Sequence, residues 1–402
     1  MSNLELYGIC LCAAILTFFF IPRFWSLHQQ GTVHHQTPQS IRLLLDPPDT
    51  PKDTLLRSRA SANARLIGAL LPTNTLVSHD LAVNSAFRAK SIRLFKAAQQ
   101  DWQQFAAIAL QAAKLALPAQ TTPFQTFVGS VTLSTIIVGL LEPHADITTL
   151  DAVDLAAMSD LITHIWILSK KDNPVPSHLL REVKDGLRRL IPDNDTYPNP
   201  LDSVILTWEP LWRVVAAALV HIHQDDTACA AFRVLTENPS FVQFCAPRLG
   251  YASPSAQDII LETLRFNPPV RELARQTIRK SQLTKFLPSF LAALIPPHIS
   301  TEIANIESAQ RSASWGPGAD PETFNAVRFR LEPTRADDLL AFGCGPLQCV
   351  ASQWAPMAAA VIVGAILNRV DGVDYYHIVR GREIGGREGW EGWTVRKVDL
   401  DT

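Results

Sequence analysis

Charge is scarce in this chain. Only 18% of its 402 residues are Asp, Glu, Lys or Arg, and the formal net charge is -2. That leaves neither the basic field that nucleic acid requires nor an acidic tail, so electrostatics points to no macromolecular partner. Cysteine is scarce too. Cys10, Cys12, Cys229, Cys245, Cys344 and Cys349 are the only ones, and none forms the closely spaced doublet pairs of a structural zinc site. A disulfide scaffold does not suit a chain of this length. No internal repeat is present. What the sequence does have is apolar surface: 47% of it is hydrophobic, enough for one large core or two ordinary ones.

Leu6 to Pro22 runs 17 residues without a charge, at the short end of what spans a bilayer. No basic segment precedes it and no small-x-small cleavage pattern follows, while Arg23, Phe24 and Trp25 supply a cationic and aromatic stop. A retained anchor (1–25) is expected, with the bulk of the chain in the cytosol; the sequon at Asn194 then goes unused. Residues 26–54 carry the His34-His35 pair and the proline-rich "DPPDTP", and read as a polar linker.

From Leu55 to the end the chain reads as one mainly α domain with small β sheets. Asn84 to Ala116 has apolar residues at three and four spacing and many strong helix formers. Phe124 to Leu141 has no charge, yet its hydroxyls and glycines fit a buried helix better than a second membrane span. Strand signals gather near the C-terminus, from Tyr375 to Leu400, where β-formers alternate with glycine turns.

Phe342 to Ala351 reads "FGCGPLQCVA". Two glycines, a proline and two cysteines between apolar flanks let backbone approach a flat ligand closely. A lone Cys349 would read as a buried structural thiol. The order Phe342, Gly343, Gly345, Cys349 resembles the Phe-Gly-x-Gly-x-x-x-Cys signature of the cytochrome P-450 superfamily, the haem-thiolate monooxygenases. The resemblance implies a cytochrome P-450-like fold over residues 55–402, haem b as cofactor and the Cys349 thiolate as its axial iron ligand.

Two further segments match in order. Glu262-x-x-Arg265 resembles the family's Glu-x-x-Arg helix, and "WGPGADPETFNAVRF" resembles the segment that presents a second arginine, here Arg328. The family joins these three as a buried charged triad; the bland alternative is an exposed helix pair and a surface arginine. For the haem propionates, position implies Arg275, and Trp102 resembles the family's propionate-binding tryptophan. That pattern is Trp-x-x-x-Arg, whereas Ala106 holds the arginine's place here, and Leu347 stands where a basic residue is common before the cysteine.

The distal segment departs from the pattern. Where the family shows Ala-Gly-x-acid-Thr, aligning on Glu209 puts Thr207 for the glycine and Pro210 for the threonine. The acid and alcohol deliver protons in the family; Pro210 carries no side-chain proton, and should kink the helix or begin a new one. Two readings of Glu209 stand: a catalytic acid, or a structural partner of Arg213 four residues on. The chain is also short for the family before Glu209, which implies a missing first sheet and fewer covering helices, or an incomplete gene model.

Three functions follow from the resemblance. The first is an endoplasmic-reticulum-anchored monooxygenase fed by NADPH-cytochrome P-450 reductase and acting on an apolar small molecule; the anchor and the "WGPGA" segment resemble fungal members that tailor terpenoids or polyketides. The second is a haem enzyme that rearranges, dehydrates or cyclises its substrate without dioxygen. The third is a degenerate, non-catalytic scaffold.

Overall fold

The least polar of the described stretches become the innermost helices. A computed structural model describes residues 31–171, 174–247, 253–279, 298–316, 320–370 and 376–398; the expected anchor at Leu6 to Pro22 lies outside them, as do Pro317, Gly318 and Ala319 of "WGPGA". Helices Trp102–Leu115, Phe124–Ile136, Leu201–Ile222 and Ala355–Leu367 pack in a closed ring, each against the next. The charge-free Phe124 to Leu141 is 83% buried inside the fold, as expected of a core helix. Three of its hydroxyls bond back into the helix, among them Ser130 Oγ to Thr126 O at 2.7 Å and Thr135 Oγ1 to Val131 O at 2.7 Å, while Thr126 Oγ1 donates to Asp160 and Thr132 Oγ1 has no partner among the described residues. Helix Asp226–Glu237 lies against Ala355–Leu367 so closely that a Cβ on Gly364 would overlap the Phe232 carbonyl.

The stretch read as one helix from Asn84 to Ala116 is two, Leu81–Gln100 and Trp102–Leu115. Asp101 breaks it: its carboxylate accepts from the Gln104 N–H at 2.8 Å, so it caps a new helix instead of continuing the old one.

In the described part of the 26–54 segment, residues 31–54, a strand and helices stand where a polar linker was expected. Its strand β1 (Thr32–His35) runs parallel to the later strand β4 (His298–Asn305), which pairs antiparallel with β3 (Glu272–Arg279), giving a sheet of order β1-β4-β3. Thr37 caps helix Pro38–Leu45, which buries Ile41 and Leu45 against Ala304, Ile306 and Leu340. The prolines that suggested a linker fall in the turn after that helix. His35 is held by Glu302, Nε2 to Oε2 at 3.1 Å. The first sheet expected to be missing is therefore present in part. A second sheet orders β2 (Thr121–Pro123), β6 (Thr394–Lys397) and β5 (Tyr376–Val379), and holds the predicted C-terminal strands.

Candidate active site

The cysteine loop is closed on itself by its own backbone. Gly343 N–H donates to Leu340 O at 2.8 Å, and Cys349 N–H to Phe342 O at 2.9 Å. Gly343 and Gly345 sit at φ 66° and 70°, a region costly to residues with a Cβ. At Gly345 a Cβ would also collide with Asp46. Cys349 is free and exposed, yet walled by protein as a thiol in a cleft is. Those walls push its pKa up, against the opposing pull of the Ala351 N–H on the sulfur and of the Arg88 charge. Trp354 follows, stacked on Phe95 with centroids 4.9 Å apart, and leads into the apolar helix Ala355–Leu367.

Cations gather beside this loop. Arg275 on β3 is 6% exposed, and its Nε has no partner among the described residues. Arg59 gives one nitrogen to Thr75 O at 2.6 Å, while its Nε is unmatched. Burial lowers both guanidiniums to about 10, and the charges of Arg275 and Arg88 add to the effect on Arg59. Arg88 Nη1 donates to Gln348 O, beside Cys349, at 3.0 Å. Among the described residues no carboxylate pairs with any of the three. A buried, unpaired guanidinium such as that of Arg275 is costly, and with Arg59 and Arg88 beside it the arrangement suits a ligand that carries acid groups.

The sequence reading named Arg275 and missed Arg59 and Arg88. Trp102 starts the helix after Asp101, and its ring meets Phe105 edge-on at 5.6 Å, which in turn meets Trp354 edge-on at 5.8 Å. Ala106 is buried in the bundle. The signal lies one helix earlier, where Asn84-x-x-x-Arg88 keeps the four-residue spacing with asparagine in the tryptophan's place. Asn84 Nδ2 donates to Thr75 Oγ1 at 2.7 Å, the threonine that also holds Arg59.

Behind the loop, Glu262, Arg265 and Arg328 meet. Arg265 reaches Glu262 through two hydrogen bonds, Nε to Oε2 at 2.8 Å and Nη2 to Oε1 at 2.7 Å. Arg328 Nε stands 3.5 Å from Oε2, and the Asn325 N–H donates to Oε1 at 2.8 Å. The remaining arginine donors go to carbonyls: Arg265 to Gln310, Pro321 and Thr323, Arg328 to Trp315 and Asp320. Every charge is thus paired inside a dry interior, the condition under which such a cluster is tolerated. The capping box of Ser255 and Asp258 starts the Glu262 helix.

Helix Leu201–Ile222 runs unbroken through Pro210, so no new helix begins there. Ser203, Leu206, Thr207 and Pro210 form its partly exposed stripe, at the i, i+3, i+4, i+7 spacing of one helix face. Ser203, Leu206 and Thr207 line a cavity of about 340 Å³ with Phe87, Ser91 and Phe95. Thr207 Oγ1 donates to Ser203 O at 2.8 Å. Glu209 points off that stripe and is 3% exposed. It is gripped by Arg213 Nη2 at 2.7 Å and Arg387 Nε at 2.6 Å. Burial would raise its pKa, but the two guanidiniums outweigh that and hold it below the usual carboxylate range. Arg213, lowered to about 10 chiefly by burial, is still charged at neutral pH.

This architecture is that of the cytochromes P-450. CYP154A1 of Streptomyces coelicolor superimposes with a TM-score of 0.55 at 16% identity, over 90% of this chain and 90% of that one. CYP175A1 of Thermus thermophilus gives 0.60 at 14% identity, over 92% and 89%. The hydroxylase HmtN gives 0.54 at 14% identity, over 91% and 90%. Against these structures the chain is not short. No protein-family model matches the sequence, and no curated protein matches it.

Proposed function

We propose that this protein is a haem-thiolate monooxygenase acting on an apolar small molecule. The observation that carries the reading is the cleft thiol of Cys349, with the Ala351 N–H turned to its sulfur and unpaired Arg59, Arg88 and Arg275 alongside. Haem b fits these residues: Cys349 would ligate its iron, Gly343 and Gly345 would let backbone lie close, and the three arginines would take its propionates. When bound, the haem supplies dioxygen chemistry and the thiolate donates electron density to the iron.

The chain's own residues set the surroundings. Phe342 and Trp354 flank the loop and exclude water, while Glu262, Arg265 and Arg328 fix the segment behind it. Thr207, like Ser203, presents a hydroxyl on the partly exposed stripe and, by donating to Ser203 O, keeps its oxygen open to a proton from water. NADPH-cytochrome P-450 reductase would be the electron donor. Leu6 to Pro22 would anchor the chain in the endoplasmic reticulum, and the terpenoid or polyketide assignment rests on the style of the sequence.

One observation favours a second reading. Glu209 is locked between two arginines and Pro210 has no hydroxyl, so the usual acid and alcohol pair is lost; an oxygen-independent rearrangement needs neither. The first test is the reduced, carbon-monoxide-treated absorption spectrum of full-length protein beside Cys349→Ala. A strongly red-shifted Soret band that the variant loses supports ligation; folded protein without it refutes the proposal. Turnover that requires reductase separates oxygenase from rearrangement.

A further inference from the structure

Two arginines, Arg213 and Arg387, grip Glu209 where the central helix meets the C-terminal turn, and Arg65 and Lys170 lie near Arg387. Arg387 is the most constrained of them. Its guanidinium lies over the Trp166 ring at 4.6 Å from the centroid, and its Nε is spent on Glu209 at 2.6 Å. The side chain keeps 17% of its surface accessible, and its two terminal nitrogens have no partner among the described residues. Arg65 joins the same spot by donating to Ser169, whose hydroxyl in turn donates to Trp166 O at 2.6 Å. Lys170 is next in the chain and lies within range of Arg387, Arg65 and Arg213. Its ammonium has no carboxylate partner among the described residues.

Helix Ala152–Leu168 ends here, and a helix C-terminus compensates about half a positive charge. Glu209 compensates one more and is already saturated by Arg213 and Arg387. Among these described residues, about two and a half positive charges remain. Solvated Lys170 and Arg65 alone would need no explanation. A guanidinium placed over an indole, with its Nε held by a buried acid, leaves two terminal nitrogens positioned for a carboxylate.

The cluster also belongs to the same unit as the cysteine loop. Arg213 donates to Pro269 O, and Leu273, four residues further on, lies 4.0 Å from where a Gly343 Cβ would stand. Four residues span at most about 14 Å. We infer that Arg387, Lys170 and Arg65 bind a carboxylate on an otherwise apolar substrate, which fixes the substrate by its acid end. This rests on the oxygenase reading for the word substrate only; the anion site stands on its own geometry.

The test uses full-length protein, with and without added haem, wild type beside the double variant Lys170→Gln, Arg65→Gln. Acetate, inorganic phosphate and dodecanoate are titrated against chloride at matched ionic strength, with 1-dodecanol as the uncharged control, and dissociation constants are read from thermal midpoints. Wild type should bind dodecanoate at least about tenfold tighter than dodecanol, and the double variant should lose that preference. Equal binding of acid and alcohol, or an acid preference unchanged in the double variant, overturns the proposal. Phosphate binding lost in the variant while dodecanoate binds no better than the alcohol also overturns it, in favour of a free-phosphate site. If the carbon-monoxide spectrum is absent but the acid preference persists, the oxygenase reading falls and this site does not.

Discussion

Arg265 grips Glu262 from three residues along the same helix with both oxygens engaged, at 2.7 and 2.8 Å, and both side chains are fully buried. Removing the carboxylate strands two guanidiniums in a dry core. Glu262→Ala should lose about 3–5 kcal/mol and most of its soluble yield. Glu262→Gln keeps the shape and should fall between the two in urea unfolding. An alanine variant with the wild-type midpoint would show that the triad does not hold this core.

Gly345 and Gly343 differ in what limits them. Both need a positive φ, but only at Gly345 would a Cβ meet Asp46. Gly345→Ala should cost more than Gly343→Ala, which carries about 1–3 kcal/mol of backbone strain alone. Thermal melts of the pair decide the order.

Propionate anchoring should follow Arg88 and not Trp102. Arg88→Ala removes a cation beside Gln348 and should weaken haem retention about tenfold, read by transfer of haem to apomyoglobin. Trp102→Phe keeps the edge contact with Phe105 and should leave retention unchanged.

Haem affinity should rise with pH. Burial places the Cys349 thiol above its ordinary range, so the folded apoprotein is protonated there at neutral pH and must release a proton to ligate iron. Affinity should climb about tenfold per pH unit below the thiol pKa, and Cys349→Ala should abolish that slope. A flat profile for the wild type would contradict thiolate ligation.

Glu209 should matter for acid stability. Its folded pKa is depressed, so its contribution is present above the usual carboxylate pKa and is lost as pH falls through the folded value. Glu209→Gln should therefore lower the midpoint near neutral pH and flatten the acid limb of the stability profile.

The cysteine loop and the Glu262-x-x-Arg265 pair were legible in the sequence through their resemblance to a family signature, and the buried Phe124 to Leu141 helix through its local composition. Glycines mark positive φ, a three-residue spacing places an acid and a base on one helix face, and a run without charge must be covered. β1 was not legible, since a four-residue strand with three exposed positions becomes a strand only by pairing with β4, more than two hundred and sixty residues away. The break at Asp101 is a single cap inside an otherwise helical run.

Arg275 was implied by its position in the sequence, whereas the nearness of Arg59 and Arg88 to it and to the cysteine loop came from the tertiary structure. The same holds for Glu209, whose spacing to Arg213 is written in the helix while its second partner, Arg387, lies 178 residues on. Sequence by itself determined which residues could ligate, cap or turn, because those properties are local; only the fold decided which charges were brought together, because long-range pairing depends on how the helices pack.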